Sequence, residues 1–153
     1  TNDLFIVCRT IEEPNGLAFS PDESRLYIAD TSAALRVDGS GNHHIMVFDV
    51  QRGRELINES LFAEVSPGLA DGFRVDQQGW IYTSSDDSIQ IYHLDGTLLG
   101  KILVPEKVSN CTFAVDSSSS HNGETLYITA STSIYRIRLN TQGACPQVSS
   151  LSV

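Results

Sequence analysis

The sequence predicts an all-β chain that builds about three blades of a larger β-propeller. Three observations carry this. Short apolar runs alternate with a period of two, clusters of Gly, Pro, Asn, Asp and Ser separate them, and one unit of several short strands recurs three times. In residues 133–139, for example, Tyr135, Ile137 and Leu139 share one face while Arg136 and Arg138 share the other, the pattern of a half-buried strand. Units of about four strands repeating every ~40–55 residues are the signature of propeller blades.

Taken in order, residues 4–10 read as the outer strand of a preceding blade. The first whole blade spans residues 14–63. Its inner phrase, Pro14-Asn15-Gly16-Leu17-Ala18-Phe19-Ser20, leads into Leu26-Tyr27-Ile28-Ala29-Asp30, then an extended Gly/Ser/Asp-rich loop at 32–42 and strands at 45–50 and 56–63. The second, residues 69–104, opens on Ala70-Asp71-Gly72-Phe73-Arg74-Val75-Asp76 and continues through Trp80-Ile81-Tyr82-Thr83-Ser84. Asp95-Gly96 then joins strands 89–94 and 98–104 as a two-residue hairpin, because both turn positions tolerate positive φ. The third, residues 108–139, repeats the plan with Val108-Ser109-Asn110-Cys111-Thr112-Phe113-Ala114 and Leu126-Tyr127-Ile128-Thr129-Ala130, but lacks a fourth strand. Residues 144–153 form a polar C-terminal tail, so 1–143 is expected to be the C-terminal half of a propeller domain. Rings close with roughly four to eight blades, and three cannot. The expected remainder is a missing N-terminal half, supplied by the same chain, by another chain or by a second copy.

Composition excludes several partners. With ten basic residues against nineteen acidic ones and a net charge of −9, the chain lacks the basic surface that nucleic acid or an anionic membrane demands. No run of about 18 apolar residues spans a bilayer. The three cysteines Cys8, Cys111 and Cys145 show no CxxC or Cys/His spacing, which argues against a disulfide scaffold or a zinc site of that type. The triplets Asn58-Glu59-Ser60 and Asn110-Cys111-Thr112 fit the glycosylation pattern, but so short a motif arises by chance. The compartment, cytoplasmic or exported, stays open.

The candidate chemistry lies where the repeats align. Asn15, Asp71 and Ser109 occupy equivalent places just before three inner strands, and propeller loops at that end converge on the central channel. Side-chain oxygens arriving there from successive blades suit a hard divalent cation. Asn-Gly and Asp-Gly are also favoured tight-turn dipeptides, so spacing alone leaves both readings open. His43-His44 point to opposite faces of an extended chain and suit a strand entry better than a metal, and His93 and His121 have no partner at useful spacing. Neither a GxSxG elbow nor a nucleotide-binding glycine loop occurs.

In this order along the chain stand Pro14-Asn15-Gly16-Leu17-Ala18-Phe19-Ser20-Pro21-Asp22-Glu23, Leu26-Tyr27-Ile28-Ala29-Asp30-Thr31, His43-His44-Ile45 with Val47-Phe48-Asp49-Val50, and Ala70-Asp71-Gly72-Phe73-Arg74-Val75-Asp76. Gly96-Thr97-Leu98-Leu99-Gly100-Lys101-Ile102-Leu103-Val104-Pro105-Glu106, Leu126-Tyr127-Ile128-Thr129-Ala130 and Leu139-Asn140-Thr141-Gln142-Gly143 follow. The series resembles the gluconolactonase family, grouped with the senescence-marker, regucalcin-like lactonases. The resemblance implies a six-bladed propeller with one divalent metal ion, calcium or zinc, in its channel. It also implies hydrolysis of a small-molecule sugar (aldono) lactone such as gluconolactone to the acid. In that family a glutamate, two asparagines and an aspartate hold the metal. Asn15 matches the second asparagine, and Asp71 matches the aspartate, to which proton transfer is also attributed. The glutamate and first asparagine would lie upstream of Thr1, so the 153-residue chain alone is expected to be inactive. The chain departs from the family at Ala70, where many relatives carry proline, and after Phe113, where a glycine pair gives way to Ala114-Val115 and a serine-rich insertion at 116–122. Rival expectations are another ester or lactone hydrolase on the same scaffold and a non-catalytic, metal-binding or interaction propeller.

Overall fold

The computed structural model describes residues 4–114 and 123–144. These build three antiparallel sheets and a single 3-10 turn at Ser32–Leu35. The first sheet holds β1 (Pro14–Phe19), β2 (Arg25–Asp30), β3 (His44–Gln51) and β4 (Glu55–Glu64) in that order. The second holds β5 (Phe73–Val75), β6 (Ile81–Ser84), β7 (Ser88–Tyr92) and β8 (Leu98–Leu103), and the third β9 (Val108–Ala114), β10 (Thr125–Ala130) and β11 (Ile134–Arg138). Each repeat unit thus folds as one meander, and the chain is three blades of a propeller.

Alternation decides which face meets which neighbour. In β2, Leu26 and Ile28 sit opposite Phe48 and Met46 on one face, while Tyr27 and Ala29 sit opposite Val47 and Ile45 on the other. The second set joins Phe73, Val75 and Ile81 to form the apolar layer between the first two sheets. Across the second sheet, Tyr82 and Ile89 face Cys111, Leu126 and Ile128 in the layer between the second and third. A strand with neighbours on both faces has no wet side, and β6 is buried along its whole length, whereas the outer strand β4 is mostly exposed.

Two local expectations change. Residues 4–13 form no strand: they find no partner strand among the described residues, and Cys8 and Ile11 pack instead on the Leu26–Ile28–Phe48 face of the first sheet. The Asp95-Gly96 turn is also wider than a two-residue hairpin. β7 ends at Tyr92 and β8 starts at Leu98, with the His93 N–H bonded to the Thr97 carbonyl and the Asp95 carboxylate accepting the Thr97 N–H. Gly96 is required there twice over: its φ is +87°, and a Cβ would stand 2.2 Å from the Phe62 carbonyl oxygen of β4.

The chain also returns to its own middle. The Gln77 N–H bonds the Gln142 carbonyl, the Ala144 N–H bonds the Val75 carbonyl, and the Thr141 hydroxyl reaches the buried Asp76 carboxylate. This segment past β11 ties the third sheet to the second. The expected serine-rich insertion at 116–122, His121, Cys145 and the rest of the polar tail, 145–153, lie outside the described residues.

Candidate metal centre at the converging inner strands

The inner strands β1, β5 and β9 stand side by side, β5 touching both others. Their starts are joined by a repeating bond. The Gly16 N–H donates to the Asp71 carbonyl at 2.9 Å, and the Gly72 N–H donates to the Ser109 carbonyl at 2.9 Å. Each link runs from the residue after one aligned position to the aligned position of the next blade, so the backbones at 15–16, 71–72 and 109 form one stepped rim. Glycine makes the approach possible. A Cβ on Gly16 would lie 2.3 Å from the Asp71 carbonyl oxygen, and one on Gly72 would lie 2.3 Å from the Asn110 amide.

The side chains divide into held and free groups. Asn15 is exposed, and its Nδ2 leans on the Thr31 hydroxyl at 3.5 Å, which leaves Oδ1 open as an oxygen donor. Asp71 is exposed as well. Its backbone N–H is anchored by Ser84 Oγ at 2.9 Å, and no hydrogen bond to its carboxylate exists among the described residues. Ser109, the third aligned residue, is engaged instead with Thr129, its hydroxyl 3.0 Å from the Thr129 hydroxyl. One amide oxygen and one carboxylate thus stand uncommitted on the rim, a donor set that fits a hard cation but supplies too few ligands to complete its coordination. No cluster of three or more His, Cys, Asp or Glu that could hold a metal occurs among the described residues.

The described histidines serve the sheets. His43 Nδ1 lies 2.8 Å from the Val65 carbonyl oxygen, and His44 at the start of β3 has its Nε2 3.4 Å from Glu64 at the end of β4. His93 is paired with Asp95 at 3.1 Å. Cys111 is buried between sheets, and burial pushes its thiol up to about 12 against the opposing influence of Arg74, so it is an inert core group.

Two features of this end were not read from the sequence. Asp30 is buried at the C-terminal end of β2, and its carboxylate gathers the Glu12, Glu13 and Ser32 N–H groups and the Asn42 amide, fastening the approach to β1 and both ends of the 32–42 loop. Glu13, two residues before Asn15, has a buried Oε2 with no hydrogen-bond partner among the described residues, while its carbonyl accepts the Thr31 N–H. A motif of alternating residues signals neither, because both depend on a loop folding back.

Comparison with known proteins adds a lineage to this geometry. Residues 4–132 match the family described as SMP-30/gluconolactonase/LRE-like region. The chain is 33% identical over 141 residues to a gluconolactonase of Zymomonas mobilis, covering 87% of this chain and 36% of that protein. Among solved structures, a gluconolactonase of Xanthomonas campestris superposes with a TM-score of 0.66 at 39% identity, covering 82% of this chain and 37% of that one. A calcium-binding regucalcin of Agrobacterium tumefaciens superposes with a TM-score of 0.65 at 19% identity, covering 88% and 48%, a likeness of fold alone. The chain therefore spans little more than a third of the gluconolactonases it matches.

Proposed function

Because the chain belongs to the SMP-30/gluconolactonase/LRE-like family, we propose that it is the metal-bearing part of a lactonase that opens a sugar lactone to its acid. The observation that carries the reading is the pair of uncommitted oxygen donors, Asn15 Oδ1 and the Asp71 carboxylate, on neighbouring blades whose backbones are bonded at that point. Both would hold a divalent cation, calcium or zinc, together with ligands from blades outside this sequence. When bound, such a cation polarises the lactone carbonyl and stabilises the negative charge that develops on its oxygen.

This chain's own residues do the rest. The Ser84 hydroxyl and the Gly16 N–H grip the Asp71 backbone on either side, so the carboxylate is presented from a fixed point. Asp71 orients the attacking water and takes its proton as the new C–O bond forms. The ring C–O bond then breaks, and the released alkoxide takes from Asp71 the proton that the water gave up, which yields the hydroxy acid and restores the carboxylate. Support comes from the relatives named gluconolactonase at 33% and 39% identity.

The test is turnover of D-glucono-1,5-lactone by the full-length protein, with divalent-cation binding measured separately by calorimetry. Asp71→Ala is expected to lose both, at least a hundredfold in kcat/KM, and Asn15→Ala to weaken cation binding. Cation binding by the parent without turnover of any lactone would favour a non-catalytic propeller, and retained turnover in Asp71→Ala removes that residue from the mechanism.

A further inference from the structure

The aligned inner strands differ at one place that packing does not explain. Ala18, Arg74 and Thr112 occupy equivalent positions in β1, β5 and β9, on the faces opposite the buried Phe73, Val75 and Cys111. Two sheets use a small side chain there and the middle one uses an exposed arginine. Where one copy of a repeat breaks its own rule without a structural gain, function is the expected cause.

The surroundings of Arg74 suit a ligand rich in oxygen. It borders a cavity of about 310 Å³ with Asn110, Thr112, Tyr127 and Thr129, and no carboxylate lines it although the chain carries a net charge of −9. Arg74 Nη1 donates to the Phe73 carbonyl at 2.8 Å, which fixes the stem and leaves further guanidinium N–H groups for a ligand. Asn110 lies in the space that Gly72 leaves vacant, and its Oδ1 accepts the Cys111 N–H at 2.8 Å, so Nδ2 is the group left to donate. Tyr127 is the counterpart of Tyr27 and Tyr82, which neighbouring sheets bury, and Thr112 sits opposite Tyr127 on the same face, so Arg74 and Asn110 are the polar groups left for a ligand. At ~3.3 Å per strand residue Arg74 stands about 10 Å along the chain from Asp71, a span comparable to a sugar lactone with its hydroxyl-bearing tail.

We infer that Arg74 and Asn110 form the subsite that reads the hydroxyl groups of the lactone, making Arg74 a specificity-determining residue for polyhydroxylated substrates. The inference rests on the lactonase reading and deepens it. Fixed N–H donors discriminate strongly against an analogue that lacks the matching oxygens, because they are then left unpaired.

The experiment compares D-glucono-1,5-lactone with δ-valerolactone, which has the ring and no hydroxyls, in the full-length protein, Arg74→Gln and Arg74→Lys. The ratio of the two kcat/KM values, sugar lactone over plain lactone, is expected to fall at least tenfold in Arg74→Gln and less in Arg74→Lys, chiefly through KM for the sugar lactone. A smaller fall in Arg74→Gln overturns the assignment and leaves the lactonase reading intact. If the parent protein hydrolyses neither lactone, the lactonase reading fails by itself, and D-gluconate binding by calorimetry then decides: binding weakened tenfold or more in Arg74→Gln upholds the subsite, and unchanged or absent binding refutes it.

Discussion

At the scale of single residues, the candidate site depends on what two glycines omit. A Cβ on Gly16 would strike backbone, the Asp71 carbonyl oxygen, and backbone has no rotamer by which to retreat. Gly16→Ala should therefore cost about 1–3 kcal/mol, read from the urea midpoint, and push Asp71 off the rim with a parallel loss of cation binding. Gly72→Ala meets a side chain instead, so Asn110 can swing aside and the stability cost should be the smaller of the two. The sequence made Asn15 and Asp71 legible because each sits in a phrase that recurs in register. It did not expose Arg74: alternation reads an arginine in a strand as an ordinary wet face, and the cavity that Arg74 shares with Asn110 exists only once the second and third sheets stand side by side. Glu13 and Asp30 were hidden for a different reason, since their surroundings come from residues 12–42 folding onto one another.

At the scale of elements, the strands were legible and their ends less so. The phrases that recur in each unit placed β2, β6 and β10, whereas the 93–97 turn, with Gly96 at positive φ against β4, took one more residue than the Asp-Gly pair alone implies. The loop at 32–42 is held by the Asp30 carboxylate, whose pKa burial alone would raise. The donated hydrogen bonds of Asn42, Glu12, Ser32 and Glu13 win and lower it from 3.8. A carboxylate with a depressed folded value contributes stability that is complete above its unfolded value and drains as the pH falls through the folded one. Asp30→Asn, which replaces an acceptor oxygen by a donor nitrogen, should cost about 1–3 kcal/mol at pH 7. The gap to the parent, followed by urea unfolding, should narrow as the pH is taken from 6 to below 3.8. A gap that stays constant over that interval would mean that the charge on Asp30 does not fasten the loop.

At the scale of the molecule, three equivalent tyrosines record how far the stack has been completed. Tyr27 and Tyr82 are 2% and 3% exposed between sheets, and Tyr127 is 38% exposed. Tyr82 also stacks edge-on against Phe113 with ring centres 5.4 Å apart. In the 153-residue chain Tyr82→Ala should lower unfolding stability by about 3–5 kcal/mol, and Tyr127→Ala by about 1 or less; equal costs would mean that the third sheet is not the open end of the stack. The bonds from Gly16 to Asp71 and from Gly72 to Ser109 add a sense of direction, because amide always precedes carbonyl from one sheet to the next. Such an arc has a nose and a tail. Two copies meeting nose to nose would set donors against donors, so any sheet that extended the arc would join it in heterologous fashion, in one orientation, as a link joins a chain.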